Sequence, residues 1–388
     1  MKKVLIFSTA YFPFVGGAEV AVKEITDRMD EISARGGSIS DWKFDMITTR
    51  MNRRVTAFEK IGNVNVHRIG IGWPLFDKYF LAFFGHFYAI ELHRKNKYDL
   101  IWSIMASYAG FAAMFFKKKS KIPFLLTLQE GDSLEYINKR TRLLKQSFRQ
   151  IFIRADYIQC ISNFLADWAR KMGANCSIKV VPNAVDIDNF NQHIIVGELN
   201  KLKTDLGKKE NDIFLIHDGR LVLKNALDDI IKALSYLPDN VKFLSVGSGS
   251  DLNKLKKIAK DLKVEKRVIF INYVNHKELP KYLRISDIFV RPSLSEGLGN
   301  SFLEAMAAEI PVIATPVGGI PDFLKDGETG LFCEVRNPKS IAKKIKLILS
   351  DKELSHRLIV NAKKMVLTKY DWNIISCDMN KIFCNLIK

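Results

Sequence analysis

A chain of 388 residues exceeds one ordinary hydrophobic core and suits two domains of common size. Its apolar and charged fractions, 47% and 26%, are those of a globular protein and exclude a disordered or fibrous chain. A formal charge of +18 asks for an anionic partner, and because basic residues outnumber acidic ones on both sides of residue 190, the charge belongs to no single tail.

Met1-Lys2-Lys3 precedes an apolar run only about one strand long, followed by Pro13 and Gly16-Gly17 rather than a cleavage site, so it reads as a first strand and not a signal peptide. No stretch reaches the ~18 apolar residues of a membrane span. The five cysteines, Cys160, Cys176, Cys333, Cys377 and Cys384, form no C-x-x-C and lie in apolar surroundings. That argues for a reducing compartment and against a disulfide framework or zinc site. The expected location is cytoplasmic, with peripheral membrane attachment open.

Further strands are expected at Phe44 to Thr48, Val64 to Ile69, Leu100 to Ile104, Phe124 to Leu128 and Tyr157 to Ile161. The first helix begins near Ala18 and sets Val20, Ile25, Met29 and Ile32 near one face. Two later segments combine apolar and basic residues. Leu75 to Leu92 carries Phe76, Tyr79, Phe80, Phe83, Phe84, Phe87 and Tyr88, and a helix expected between Asp132 and Ala155 carries Lys139, Arg140, Arg142, Lys145, Arg149 and Arg154 beside Leu143, Leu144, Phe148, Ile151 and Phe152. Either is a core-facing stripe with a solvated outer face, or a surface for an anionic bilayer.

Asn183 to Lys209 is polar and reads as the interdomain connection. The strand rhythm restarts with Phe214 to His217, Lys242 to Val246, Val268 to Ile271, Asp287 to Val290 and Val312 to Ala314. Asp371 to Ile387 reads as one helix bearing Trp372, Ile375, Met379, Ile382, Phe383 and Leu386. Alternating strands and helices imply α/β domains with parallel sheets, which bind ligands beyond the C-terminal strand ends.

The candidate residues all follow such ends. Gly16 and Gly17 let a backbone approach a ligand closely, and the helix after them offers free amides. Gln129, Glu130 and Asp132 follow Leu128; Asp132 reads as a helix cap with Glu135 completing a capping box. Gly219, Arg220 and Lys224 follow His217; Gly247 follows Val246; Asn272, Tyr273 and Val274 follow Ile271. In Ser295-Glu296-Gly297-Leu298-Gly299-Asn300-Ser301-Phe302-Leu303-Glu304, glycines open a helix and two carboxylates flank its start. Free amides there suit a diphosphate, and a carboxylate one turn in can accept from a ribose diol.

This last segment resembles the E-x7-E motif of the family 4 retaining glycosyltransferases, which have the GT-B fold of two Rossmann-like domains facing across a cleft. The resemblance extends along nearly the whole chain: Gly219-Arg220-Leu221 through Lys224 resembles the G-R-L-x-x-x-K segment, Gly247-Ser248-Gly249 the G-x-G turn, and Pro182-Asn183-Ala184-Val185-Asp186 the P-N-G-V-D segment with alanine for glycine. It implies an acceptor domain over 1–190, a nucleotide-sugar domain over 191–370, and a last segment, 371–388, packing back on the first. It assigns Glu296 to the donor sugar's hydroxyls, Glu304 to the ribose, Arg220 and Lys224 to the diphosphate, Asn272 to Val274 to the base, Gly16 and Gly17 to the diphosphate and acceptor, and Gly219, Gly247, Gly297, Leu298, Gly299 and Asn300 to the donor pocket. Gln129 stands where many members have histidine; it can hydrogen-bond a sugar hydroxyl but cannot shuttle a proton.

The implied activity is metal-independent, cofactor-free transfer of a hexose-type sugar from a nucleoside diphosphate to a hydroxyl of a carbohydrate or lipid-linked acceptor. Two rivals stay open at this stage: a nucleotide-sugar epimerase and a catalytically silent binding module. The basic residues are scattered and carry no RNA or DNA motif, so no nucleic-acid partner is expected.

Overall fold

Strands buried on both faces need continuous apolar runs, and these runs set the architecture. A computed structural model describes residues 1–34 and 42–387, which divide into two units. The first comprises Met1–Glu130, Leu134–Ala184 and the segment from Trp372 onward; the second comprises Gly131–Ser133 and Val185–Asp371.

In the first unit the strands are β1 (Lys2–Phe7), β2 (Trp42–Thr49), β3 (Phe58–Ile61), β4 (Val64–Ile69), β5 (Leu100–Ile104), β6 (Phe124–Leu128), β7 (Tyr157–Cys160) and β8 (Ser177–Val180). They form one sheet in the order β3-β4-β2-β1-β5-β6-β7-β8, parallel except for the antiparallel β3–β4 edge. The second unit holds β9 (Ile213–Asp218), β10 (Val241–Val246), β11 (Val268–Ile271), β12 (Ile288–Arg291), β13 (Val312–Ala314) and β14 (Leu331–Phe332), all parallel, in the order β11-β10-β9-β12-β13-β14. Leaving aside the antiparallel β3 edge, both orders reverse direction once, at β1/β5 and at β9/β12. In open α/β sheets such a reversal leaves a crevice beyond the strand ends.

The helix Gly17–Ala34 buries Ala21, Val22, Ile25 and Met29, with Val20 half-buried; the side chain of Ile32 lies outside the described residues. The helix Trp372–Leu386 belongs to the first unit, where Phe383 meets the edges of Trp42 and Trp102 at 5.4 and 5.1 Å between ring centroids. Asn380 Oδ1 accepts from Trp42 Nε1 at 2.8 Å, which satisfies the one polar atom that this buried ring carries.

Three expectations are corrected. Asn183 to Lys209 is not a connector as a whole, because the chain crosses at Ala184–Val185 and the helices Ile187–Asn191 and Val196–Asp205 already belong to the second unit. The helix expected over 132–155 is two, Leu134–Thr141 and Lys145–Ile153, joined by a 3-10 turn at Arg142–Leu144. No residue of the first of these is buried, so no packing holds it in line with the second, whose Phe148, Ile151 and Phe152 face the core. Asp132 is not a helix cap; it lies 3.4 Å from Lys224 Nζ.

Candidate active site

The crevice of the second unit is built at the C-terminal ends of β9 and β12. β12 is apolar until its last residue, Arg291, which is buried and can stay charged there only if paired. Its guanidinium donates to Glu296 Oε2 at 2.9 Å, to Asn225 Oδ1 at 3.1 Å and to Ser301 Oγ, and it lies over the Phe302 ring. Arg291 therefore fixes Glu296, the 3-10 turn Leu223–Asn225 and the start of the helix Asn300–Ala307 relative to one another.

Glu296 is held through its backbone as well. Gly319 N–H donates to Glu296 O at 3.2 Å, and a Cβ on Gly318 would lie 1.8 Å from the same oxygen. Only glycine permits that approach, which gives the Gly318-Gly319 turn a concrete task. Gly247 does the same on the other side: at φ +131° its Cβ would stand 2.1 Å from Gly219 O, so the turns after β9 and β10 touch only because it has none.

Lys224 Nζ donates to Gly131 O at 2.7 Å besides facing Asp132, and Leu294 N–H donates to Lys224 O at 2.7 Å. Ser295 Oγ donates to Gly131 O at 3.3 Å. The Gly131–Ser133 segment thus packs on Lys224, Ser295 and Glu296: a Cβ on Gly131 would lie 3.1 Å from Lys224 Nζ and 3.7 Å from Glu296 Oε1. Arg220 is exposed at the rim. Gly297 and Leu298 are buried, and Gly299 stands at the N-cap of the Asn300–Ala307 helix at φ +96°.

Glu304, one turn into that helix, has a partner the sequence did not announce. Its Oε1 lies 3.0 Å from Nε2 of the half-exposed His276, whose ring stacks edge-on to Phe190 at 5.2 Å and whose carbonyl accepts from Asn189 Nδ2 at 3.1 Å. The Glu304 hydrogen bond raises the His276 pKa. Asp218, at the end of β9, is buried, and burial followed by the Glu304 charge pushes its carboxyl up to about 7. His217 beside it is fully buried; burial, then the Arg291 charge, depress its pKa and keep it neutral. Asn272 and Tyr273 follow β11 with exposed side chains, and Val274 is half-buried.

At the switch point of the first unit the groups are mostly neutral. Thr9 Oγ1 and Ser107 Oγ lie 3.0 Å apart, Glu130 Oε1 accepts from Ala106 N–H at 2.6 Å, and Gln129 Oε1 accepts from Asn183 Nδ2 at 3.1 Å. The amide of Gly16 donates to Glu19 Oε2 at 2.8 Å, and the helix starts at Gly17. Of the sequence candidates, Gly16, Gly17, Gln129 and Glu130 belong to the first unit and the others to the second. Sequence reasoning read Asp132 as a helix cap rather than a partner of Lys224, and it passed over Arg291, Asn225 and His276. Arg291 carried a signal, an arginine closing an otherwise apolar strand before Pro292; Asn225 and His276 carried none.

Comparison with known proteins identifies the family. Residues 15–189 match Glycosyltransferase Family 4, and residues 199–365 match Glycosyl transferases group 1. An uncharacterized glycosyltransferase of Methanocaldococcus jannaschii is 25% identical over 98% of this chain and 97% of its own length. The alpha-monoglucosyldiacylglycerol synthase of Streptococcus pneumoniae is 25% identical over 80% of this chain and 70% of its own. The crystal structure of Anabaena HepE in complex with UDP-glucose superposes with a TM-score of 0.80 at 18% identity, covering 99% of this chain and 100% of that one. Two matched segments that leave only the ends and a short join uncovered, on two sheets of this order, make the chain a glycosyltransferase of family 4 with the GT-B fold.

Proposed function

We propose that the protein moves a hexose-type sugar from a nucleoside diphosphate to an acceptor hydroxyl, with retention of anomeric configuration and without a metal ion. The carrying observation is the set of groups at the β9/β12 switch point: two cations, Arg220 and Lys224, a glycine-opened helix N-terminus, and two carboxylates held by Arg291 and His276. In this reading Arg220 and Lys224 offset the charge that grows on the departing diphosphate, the role usually given to a divalent ion. The amides at Gly297, Gly299 and Asn300 receive a phosphate. Glu304 accepts from the ribose diol once His276 yields it, Glu296 accepts from the sugar's hydroxyls, and the backbone of Asn272 to Val274 reads the base edge. Gly219 and Gly247 keep the floor free of side chains.

The first unit takes the acceptor, with Gly16, Gly17 and Gln129 contributing. Gln129 hydrogen-bonds the donor sugar and carries no proton, so the leaving phosphate itself takes the proton of the attacking hydroxyl. A carbohydrate or lipid-linked acceptor at a cytoplasmic membrane face fits the basic first unit; the Streptococcus pneumoniae relative is named for a glycolipid product.

A panel of nucleotide sugars screened by thermal unfolding tests the donor assignment, since a ligand of the folded state raises the midpoint. One sugar nucleotide should raise it by several degrees, and turnover with that donor in excess chelator should give a product of unchanged anomeric configuration. No shift with any donor, an inverted linkage, or loss of turnover in chelator would each overturn the corresponding part.

A further inference from the structure

The loops that follow β2 and β4 close on each other beside the loop after β1, at the strand ends where an open α/β sheet takes its ligand. Two buried charges brace them. Asp77, in the first turn of the helix Pro74–Asn96, is fully buried, and its carboxylate accepts from the amides of Met51, Ile71 and Gly72 at 3.0, 2.8 and 2.9 Å. Arg68, 5% exposed, donates to Thr56 O at 3.1 Å and to Phe12 O at 2.6 Å, and Glu59 meets its charge at 2.5 Å. Gly72 has φ +86°, and a Cβ there would lie 2.5 Å from Arg53 N, so the two loops touch backbone to backbone. Loops held this firmly suit a binding site, which needs its contact groups fixed in advance.

The braced loops present an indole and two guanidinium groups. Trp73 is 58% exposed, whereas the other four tryptophans, Trp42, Trp102, Trp168 and Trp372, are at most 3% exposed. The Arg53 guanidinium lies over the Trp73 ring, 5.7 Å from its centroid, and Arg54 beside it is exposed. An arginine stacked on a ring keeps its N–H edge for a bidentate partner while its rotamers are already restricted. The loops supply no such partner. Residues 50–57 and 70–76 contain no Asp or Glu, and the acids that follow them, Glu59 and Asp77, are committed to Arg68 and to backbone amides.

Chemistry selects the occupant. An indole packs on the C–H face of a pyranose and buries apolar area while the ring hydroxyls stay in water. A guanidinium fork at its rim takes a carboxylate or phosphate, and a neutral sugar would leave both cations unused. The position is that of a substrate site: Thr49, which ends β2, donates from Oγ1 to Thr9 O at 2.6 Å, and Thr9 Oγ1 meets Ser107 at the switch point.

We infer that this platform is a subsite for an anionic acceptor carbohydrate, with a pyranose ring against Trp73 and its carboxylate or phosphate on Arg53 and Arg54. The inference rests on the transfer reading and narrows its acceptor to a charged sugar.

Trp73 emission reports the subsite without any donor present. Titrated with simple probes, the protein should bind methyl glucuronoside or glucose 6-phosphate about tenfold more tightly than methyl glucoside, on the scale of one charge-assisted hydrogen bond. Whichever of the two binds more tightly tells carboxylate from phosphate. By calorimetry, Arg53→Ala with Arg54→Ala should erase that preference and leave methyl glucoside binding unchanged. Trp73→Ala should weaken all three sugars, and Trp73→Phe should restore most of the loss. Every variant should keep the wild-type unfolding midpoint and the shift that a nucleotide sugar gives. Equal affinity for charged and neutral sugars, or emission that no sugar moves, would overturn the subsite. So would a response to phosphatidylglycerol vesicles but to no sugar. Failure of the transfer reading looks different: no nucleotide sugar would shift the midpoint, while the sugar probes would still bind at Trp73.

Discussion

At the switch point of the second unit, β9 ends in the buried Asp218 and β12 in Arg291, which pairs with Glu296 just beyond, whereas β1 and β5 of the first unit lead into Ser8, Thr9 and Ser107, hydroxyls with Glu130 as the buried carboxylate. The strand order that produces the crevice is the same in both. The first unit is no less cationic, but many of its lysines and arginines stand on helices, among them Lys95, Lys117, Lys139, Arg140 and Lys145. One scaffold has been furnished twice: charges preorganised at the strand ends suit a charged ligand, and hydroxyls at the strand ends with charge on the flank suit a neutral reacting group held near a charged surface.

The largest effect that would sharpen this contrast is expected at Arg291. Arg291→Leu leaves Glu296 buried without its partner and should cost about 3 kcal/mol in urea unfolding, while Thr9→Val in the first crevice should cost under about 1 kcal/mol. Comparable losses would mean that the charges of the second crevice are not an organised set. Next come the cations: Arg220→Ala or Lys224→Ala should lower turnover about 100-fold or more at saturating donor with little change in unfolding midpoint. Full activity in either variant would remove that residue from the reaction.

A subtler separation concerns the carboxylates. Glu304→Gln should weaken binding of the free nucleoside diphosphate about tenfold, on the scale of one charge-assisted hydrogen bond, and Glu296→Gln should spare that binding and impair transfer. Calorimetry with nucleotide alone distinguishes them, and equal losses would show their roles misplaced.

The smallest effect is in pH. His276 has a raised pKa because Glu304 holds its charged form, so the pair is intact below that pKa and loosens as pH rises through it. Nucleotide competing for Glu304 should therefore bind a few-fold more tightly as pH rises, and His276→Ala should abolish most of the trend. Asp218 adds a stability effect of the same sign. Its carboxyl is raised from 3.8 to about 7, so its contribution is full below about 4 and is lost as pH rises to about 7. Asp218→Asn should flatten the pH dependence of the unfolding midpoint over that window; an unchanged profile would refute the assignment.

The strands were legible because a parallel strand covered on both faces needs an uninterrupted apolar run, as in Val4 to Phe7 or Phe214 to Ile216. β3, β8 and β14 lacked that signal: Phe58–Ile61 and Ser177–Val180 are edge strands, exposed or half-buried, and Leu331–Phe332 has only two residues. In the site, residues adjoining strand ends could be read from local order, whereas contacts between distant segments could not. Lys224 and Gly131 are 93 positions apart, Arg291 and Asn225 are 66 apart, and His276 and Glu304 are 28 apart, with no local pattern connecting any of them. The exposed rings of Pro74–Asn96 were visible as residues, but whether they faced core or solvent depended on which side packs on Tyr108–Ser120.

The helix Trp372–Leu386 carries a consequence for how the molecule is made. It fills the first unit's core with Trp372, Ile375, Met379 and Phe383, yet it is synthesised after the whole of the second unit. While the chain emerges from the ribosome, the rings of Trp42 and Trp102 wait uncovered, and the later-made unit has every residue it needs first. Assembly order is thus inverted relative to the N-to-C direction of synthesis. A chain ending at Asp371 should show solvent-quenchable tryptophan fluorescence and rapid proteolysis confined to the first unit, and a synthetic peptide spanning the last helix should reverse both.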